Sequence, residues 1–583
     1  MQNSTNYWFN KTYFQSGEQD KFNLVWLAII AIGIIFIGIG LRDPWPADEP
    51  RFAQIAREMV ETGQWFFPMR GGELYPDKPP IFMWSIAVFY YLTGSLSISF
   101  LLPNALCSLL TTFLIYDLGK RLWSPQVGWY AALLLLLSLQ FVLQAKSAQI
   151  DAMVCCWITI GCYGLIRHLL LNDGWRWFML GCFFMGIGII TKGVGFLPLL
   201  MLIPYFVARL MQPKEGSSSK GEIAGNWQWF AGILVLLSAT LLWFIPMMYF
   251  VEHSQNPLFE QYRDNILFKQ TAKRYANSWH HVKPFWFYIV EVVPVFWLPI
   301  SLLFPWLAKK WTTAIKQGDR RISILLGWIV LVLVFFSISP GKRGVYILPA
   351  LPILALISAP YLKEILTKIW PKRFIFSLVT LLAIISLLVG IAGFIEIKAT
   401  VKLSQKYHIE PWLYFTFIGV VGLTISWLTK QRKITSWLIA IPLFWAIYST
   451  WGYQLLNNVK TPRNVLDNIA KIIPQNSELA MLGFREQFLL FSPFTFTHFG
   501  YHTPHQQAQL KAWAWQGELN LAPRYLLTFK AAAMPCYDMN KGIPVGRAHR
   551  QDWLLLPKSA RLANCPAADK SVQAFTFVPK TII

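Results

Sequence analysis

Long apolar runs dominate the chain from residue 23 to residue 455, each separated from the next by a polar connection. A hydrocarbon core of about 30 Å is crossed by about 20 helical residues. Windows of that length predict spans over 23–41, 98–118, 126–143, 148–168, 175–191, 194–209, 227–250, 285–307, 322–338, 345–361, 374–396, 411–428 and 435–455, about thirteen in all. Lys and Arg recur in alternate connections: Lys120 and Arg121, Arg167 and Arg176, Arg209 and Lys214, Lys309 to Arg321, Lys372 and Arg373, then Lys430 to Lys433. The positive-inside rule places these connections in the cytoplasm. The N-terminus then also lies inside, and loops 42–97 and 251–284 and the tail from about 457 lie on the opposite side. The polar stretch before the first span is long and no small-x-small pattern follows the run, so this span reads as a retained anchor, not a cleaved signal.

Composition agrees with that class. With 55% hydrophobic and 14% charged residues over 583, the chain is not a soluble globular enzyme. The outer loops nonetheless carry Arg42, Arg51, Arg57, Arg70 and Lys78, then Arg263, Lys269, Lys273, Arg274 and Lys283, against the positive-inside trend. Attraction to anionic headgroups, about 1 kcal/mol per cation, is one reading; a pocket for a phosphate-linked lipid is the other.

The first outer loop has its own pattern. Pro50 suits the first turn of a helix, Asp48 and Glu49 suit its N-terminus and Gly63 its end. Within 50–62, Phe52, Ile55, Met59 and Val60 share one face, and Arg51, Gln54, Glu58 and Glu61 the other, which predicts an interfacial amphipathic helix. The apolar stretch 81–92 follows Pro79-Pro80 and is too short to span, so it reads as re-entrant or interfacial. From 457 no long apolar run recurs; a helix over 462–473 and strands over 479–483 and 524–529 predict a soluble α/β domain at 457–583, after a membrane domain at 1–456. Residues 211–226 form a Gly/Ser-rich cytoplasmic linker.

Asp48-Glu49-Pro50-Arg51-Phe52-Ala53, Gly63-Gln64-Trp65 and Asp77-Lys78-Pro79-Pro80 resemble the first periplasmic loop of the bacterial GT-C membrane glycosyltransferases that include lipid A aminoarabinose transferase and the protein O-mannosyltransferases. Lys192-Gly193, Arg274, His281 to Trp286 and Ser339 to Pro349 extend the resemblance. It implies an all-α polytopic GT-C fold and transfer of a sugar from a polyprenyl-phosphate carrier to lipid A, another glycolipid or a protein at the outer face of the inner membrane, with the tail periplasmic. Its partners would be that donor, the acceptor and membrane lipids, with no nucleic acid. The family's first-loop aspartate maps to Asp48, with Glu49 beside it, and its second outer aspartate to Asp151. Its carrier-phosphate contacts map to Lys78, Arg274 and Tyr346. Asp77 stands where some members have Glu, which puts a metal contact there in doubt; the sequence specifies no cofactor and leaves a divalent metal open.

The chemistry fits those residue types. Cleaving a glycosyl phosphate develops negative charge on the leaving phosphate, which fixed cations stabilise: Lys78, Arg274, Lys342 and Arg343, with Arg51 close to Asp48 in sequence. A carboxylate, Asp48, acts as base toward a hydroxyl or orients the sugar, and a single inverting displacement needs no covalent intermediate. Duller roles exist for each residue: Asp48 and Asp151 as helix caps, Lys78 as a snorkelling cation, Tyr346 as part of an aromatic belt. His280 and His281 read as an interfacial pair because further zinc ligands are not evident. Gly341 to Gly344 lacks P-loop spacing. Five cysteines fall in or beside spans; Cys536 and Cys565, the two in the tail, are expected to pair if the compartment is oxidising. The rival reading is a transporter or flippase of a lipid-linked saccharide, disfavoured because the charged residues gather at one face instead of the midplane.

Overall fold

A computed structural model describes residues 5–211, 226–267, 282–532 and 534–579. Most of the chain to residue 460 is helical. Among the described residues six helices are long and apolar enough to cross a membrane: Leu96–Leu122, Ile150–Leu169, Trp227–Ser254, Arg320–Ile338, Ile369–Phe394 and Trp412–Thr429. Two bent pairs, Pro125–Leu136 with Leu139–Ala145 at 69° and Tyr288–Phe296 with Ile300–Lys316 at 111°, raise the number to eight. Thirteen full-length spans are therefore not reached by length and composition, because a hydropathy window averages over breaks in the helix. The window 126–143 contains the break at Ser138, and 285–307 contains Pro294 and Pro299.

The two breaks complete each other. Leu139 N–H, an orphan donor at a helix start, donates to Leu298 O at 3.1 Å. Trp297 Nε1–H donates to Gln140 Oε1 (2.8 Å), and Gln140 Nε2 to Gly344 O (2.8 Å). Irregular backbone at this depth is tolerated because protein covers it, and the bracing fixes the segment that carries Lys342, Arg343 and Tyr346. Close helix packing does the same for the segment that carries Asp151. A Cβ on Gly164 in Ile150–Leu169 would sit 2.3 Å from Trp177 O of Trp175–Lys192, so a larger residue there would separate the two helices.

The rim helix Glu49–Thr62 follows its predicted bounds and closes on Gly63, whose N–H donates to Met59 O at 3.0 Å. Its apolar face packs as expected, with Phe52 edge-on to Phe82 at 5.2 Å. Its polar face departs from the interfacial expectation. Gln54, Arg57 and Glu58 are buried, Arg57 Nη1–H donates to Leu490 O (3.2 Å), and its guanidinium lies 4.7 Å from the Phe577 ring. The polar stripe is an interface with the C-terminal domain, a burial that amphipathicity cannot distinguish from exposure to water.

That domain holds a six-stranded sheet in the order β6-β7-β5-β3-β4-β8, where β3 is Glu478–Met481, β4 Thr495–His498, β5 Arg524–Phe529, β6 Ile543–Ala548, β7 Gln551–Leu556 and β8 Phe575–Phe577. β4, β3 and β5 are mutually parallel and the outer strands antiparallel. Strand β5 falls on the predicted 524–529. Cys536 and Cys565 have Cα atoms 5.5 Å apart, within disulfide reach.

The sheet docks on the tip between β1 (Met69–Arg70) and β2 (Glu73–Leu74). Glu58 accepts from Gly71 N–H (2.5 Å) and Gly72 N–H (3.1 Å), and His498 Nε2–H donates to Gly71 O (2.8 Å). A Cβ on Gly71, at φ +66°, would lie 2.7 Å from that nitrogen. Burial between Phe484 and Phe575 pushes the His498 pKa down to about 4, while burial pushes Glu58 up to about 7. For His498 the folded value lies below the unfolded one of about 6.5, so its contribution is complete above pH 6.5 and is lost as pH falls toward 4. Glu58 has the opposite sign, its contribution declining as pH rises from about 4.5 through 7. Intrinsic-rate-corrected amide exchange of residues 69–74 is expected to accelerate in wild type relative to His498→Asn as pH falls from 7 to 5. The Glu58 trend, common to both proteins, cancels. A constant ratio across that range would remove His498 as the acid-labile clasp.

Candidate active site

The segment before the rim helix is pinned from several sides. Arg42 meets Glu49 fork to fork (2.5 and 2.7 Å) and donates to Lys146 O (2.9 Å). Glu49 also accepts from Trp45 N–H (2.8 Å) and Ala148 N–H (2.9 Å). Asp43 accepts from Arg463 Nε and Nη2 at 2.6 and 2.8 Å and from Asn457 Nδ2 at 2.7 Å, tying the loop to the start of the tail. Glu49, the carboxylate beside Asp48, thus faces Arg42 and two backbone amides.

Asp48 is different. Its side chain makes no capping bond to the helix it precedes. Instead Oδ2 accepts from Arg343 Nη2 at 3.0 Å, and Oδ1 lies 3.8 Å from Arg51 Nη1. Arg51 in turn donates through Nε to Glu486 Oε1 at 2.8 Å, and Arg70 Nη1 reaches the same oxygen at 3.4 Å. Burial works against the Arg343 charge, but Asp48, then Asp151, offset it and raise its pKa.

A second group sits beside the first. Asp151, in the first turn of Ile150–Leu169, is ion-paired with Lys192 at the end of Trp175–Lys192. Lys192 Nζ lies 4.4 Å from the centre of the Tyr346 ring, a cation–π contact. Lys342 Nζ donates to Lys283 O (2.9 Å), and Lys283 N–H to Pro340 O (3.2 Å), so the two outer segments run together. Lys78 is held through its carbonyl, which accepts from the buried Tyr262 hydroxyl at 3.2 Å. Arg274, His280 and His281 lie outside the described residues. The fold therefore gathers Asp48, Arg51 and Arg343, and next to them Asp151 and Tyr346. Among the described residues no ion pair joins Lys342 to either carboxylate. Lys192, Glu486 and Arg70 are partners that sequence reasoning did not assign. Lys192 had left a signal in the Lys192-Gly193 motif and Arg70 as an outer-loop cation, but neither was given a partner.

Among the described residues no three His, Cys, Asp or Glu side chains cluster as metal ligands. Asp48 and Asp151 are each turned to a cation, which is a donor set for charge pairing and not for metal coordination. What the arrangement offers is anchored carboxylates flanked by guanidinium and ammonium groups at one end of a helical bundle. A cavity of 140 Å³ opens beside Asp48, Lys146 and Gln149.

Comparison with known proteins agrees. The family model described as dolichyl-phosphate-mannose-protein mannosyltransferase matches residues 77–248. The undecaprenyl phosphate-alpha-4-amino-4-deoxy-L-arabinose arabinosyl transferase 1 of Pseudomonas fluorescens is 29% identical, over 70% of this chain and 72% of its own length. The corresponding transferase of Aeromonas hydrophila is 30% identical over 56% and 57%. The crystal structure of ArnT from Cupriavidus metallidurans bound to undecaprenyl phosphate superposes with a TM-score of 0.70 at 20% identity, covering 93% of this chain and 99% of that one. Fold and relatives together define a GT-C-type membrane glycosyltransferase. Within that class the chain is similar to the family that includes the lipid A aminoarabinose transferases and the protein O-mannosyltransferases.

Proposed function

We propose that the chain transfers 4-amino-4-deoxy-L-arabinose from undecaprenyl phosphate to a lipid A-type acceptor at the outer face of the inner membrane. The relatives that match over most of the chain carry that name, and the observation that carries the mechanism is Asp48 held by Arg343 instead of capping its own helix. In this reading the anomeric C–O bond to phosphate breaks and its electron pair leaves with undecaprenyl phosphate, as an acceptor oxygen attacks from the opposite face. Lys78, Arg343, Lys342, Tyr346 and Arg274 receive the developing phosphate charge, and Arg51 braces Asp48. Such cations help only to the extent that they bind the leaving phosphate better than the intact ester. Asp48 orients the sugar or takes the acceptor's proton; an ionised lipid phosphate has no proton to give up. Asp151 fixes Lys192 against Tyr346, and Glu49 positions Asp48. In this reading Thr5–Phe36, Trp175–Lys192, Leu197–Leu210, Ala350–Ile365 and Thr435–Ile447 also cross, completing thirteen spans, with the N-terminus cytoplasmic and the tail periplasmic, where Cys536 and Cys565 pair. A flippase reading finds no support in the fold or the relatives.

Purified protein in detergent, given the undecaprenyl-phosphate aminosugar and lipid A, is expected to yield lipid A heavier by one aminopentose. Arg343→Gln and Lys78→Met are each expected to lower kcat/KM for the donor about 10–100-fold, the scale of a hydrogen bond to a charged group. Transfer of hexose in place of aminopentose, or movement of intact donor across liposomes without transfer, would overturn the reading.

A further inference from the structure

A second cavity, larger than the one beside Asp48, lies against the rim. A space of 480 Å³ lies between the segment Pro46-Ala47, the rim residue Arg51 and the C-terminal domain. Its far wall is the two loops that leave the parallel strands β3 and β4, Gly483 to Gln487 and Phe499 to His505. The topology accounts for it. From β3 the chain crosses to β4 on one side, then returns past β3 to β5 on the other. Connections that diverge from neighbouring parallel strands leave a crevice at the carboxyl ends, the usual ligand position in open α/β sheets. The volume falls within the few hundred to a thousand Å³ typical of small-molecule sites.

The lining selects the ligand. Arg51 and Arg485 face one carboxylate, Glu486, and that carboxylate is already shared by Arg51 and Arg70. Among the described residues no carboxylate forms an ion pair with Arg485. His505 Nε2 is buried with no hydrogen-bond partner among them, and Gln487, Tyr501 and Thr503 add neutral donors and acceptors. A surplus guanidinium and several neutral polar groups suit an anion carried on a polyhydroxylated body. They do not suit an isoprenoid. Pro46 and Ala47 line both this cavity and the smaller one at Asp48, so a molecule seated here abuts the reacting centre across one turn of backbone.

We infer that this cavity binds the phosphorylated saccharide head group of the acceptor and holds it toward Asp48, with Arg485 as its phosphate contact. The inference rests on the transferase reading above and adds an acceptor site on the C-terminal domain. Arg485→Gln is expected to raise the acceptor KM about 10-fold with kcat at saturating acceptor changed less than about threefold, and Arg485→Lys to recover most of the loss. Independently, glucosamine 1-phosphate should bind the full-length detergent-solubilised chain by calorimetry, compete with lipid A, and bind Arg485→Gln and His505→Gln at least about 10-fold more weakly. Equal competition by inorganic phosphate would overturn the saccharide part of the assignment. An unchanged acceptor KM in both variants would overturn the site. If wild type transferred no sugar to lipid A, the transferase reading would fall, and the calorimetric arm would still decide whether the cavity takes a sugar phosphate.

Discussion

Replacing Asp48 by asparagine is expected to lower kcat for sugar transfer by about 10²–10⁴-fold, the range set by loss of a positioned acid–base group. Asparagine keeps an oxygen that can accept the Arg343 Nη2 hydrogen bond, now 3.0 Å long, so the substitution removes charge with little change of shape. Donor KM should stay within about threefold, because the cations assigned to the carrier phosphate are untouched. The acceptor decides how the loss divides. With a hydroxyl acceptor the variant should lose the limb of the pH–rate profile that reports deprotonation of the base. With an ionised phosphate that limb is absent in both proteins, and the loss reflects only a missing carboxylate beside a sugar gaining positive charge. Single-turnover transfer by the purified variant within tenfold of wild type would show that Asp48 is scaffolding.

The rim was the most legible part of the chain because its signals are local. Pro50 and Gly63 bound a helix that the structure places at Glu49–Thr62, and a dozen apolar residues after a double proline give the short helix Ile81–Thr93. Strand β5 was legible for the same reason, an apolar run bounded by turns. Long-range pairings were not. The Leu139 to Leu298 hydrogen bond joins two helix breaks far apart in sequence, and nothing in either window shows that the breaks complement each other. Gln54 and Glu58 lie on a stripe that amphipathicity assigns to water and the fold buries. Glu49 and Asp48 are adjacent and chemically alike, so only the geometry separates them. One is enclosed by Arg42 and two amides; the other turns to Arg343. The place of Gly483 to Gln487 in a cavity wall likewise depends on the strand order, which no local pattern shows.

Glu49→Ala is expected to destabilise the protein by about 3–5 kcal/mol, the cost of stranding one member of a buried ion pair. Arg42 would remain beneath Trp45, 4.4 Å from its ring centre, with its Nη2–H still bound to Lys146 O and no carboxylate opposite. Trp45 N–H and Ala148 N–H would each lose an acceptor, at about 1–3 kcal/mol where water cannot enter. Replacing both partners, Arg42→Met with Glu49→Leu, should recover much of the pair's share, since an apolar pair of similar volume is often neutral or better. Activity should not follow stability. Arg42–Glu49 is the brace that links the segment before Asp48 to Lys146 and Ala148, at the entry to the helix that carries Asp151. The double variant should therefore unfold near the wild-type denaturant midpoint and still show a depressed kcat. Recovery of kcat together with stability would mean that the rim holds Asp48 without this pair. A Glu49→Ala protein as stable as wild type would mean that the guanidinium finds water there, contrary to its enclosed position.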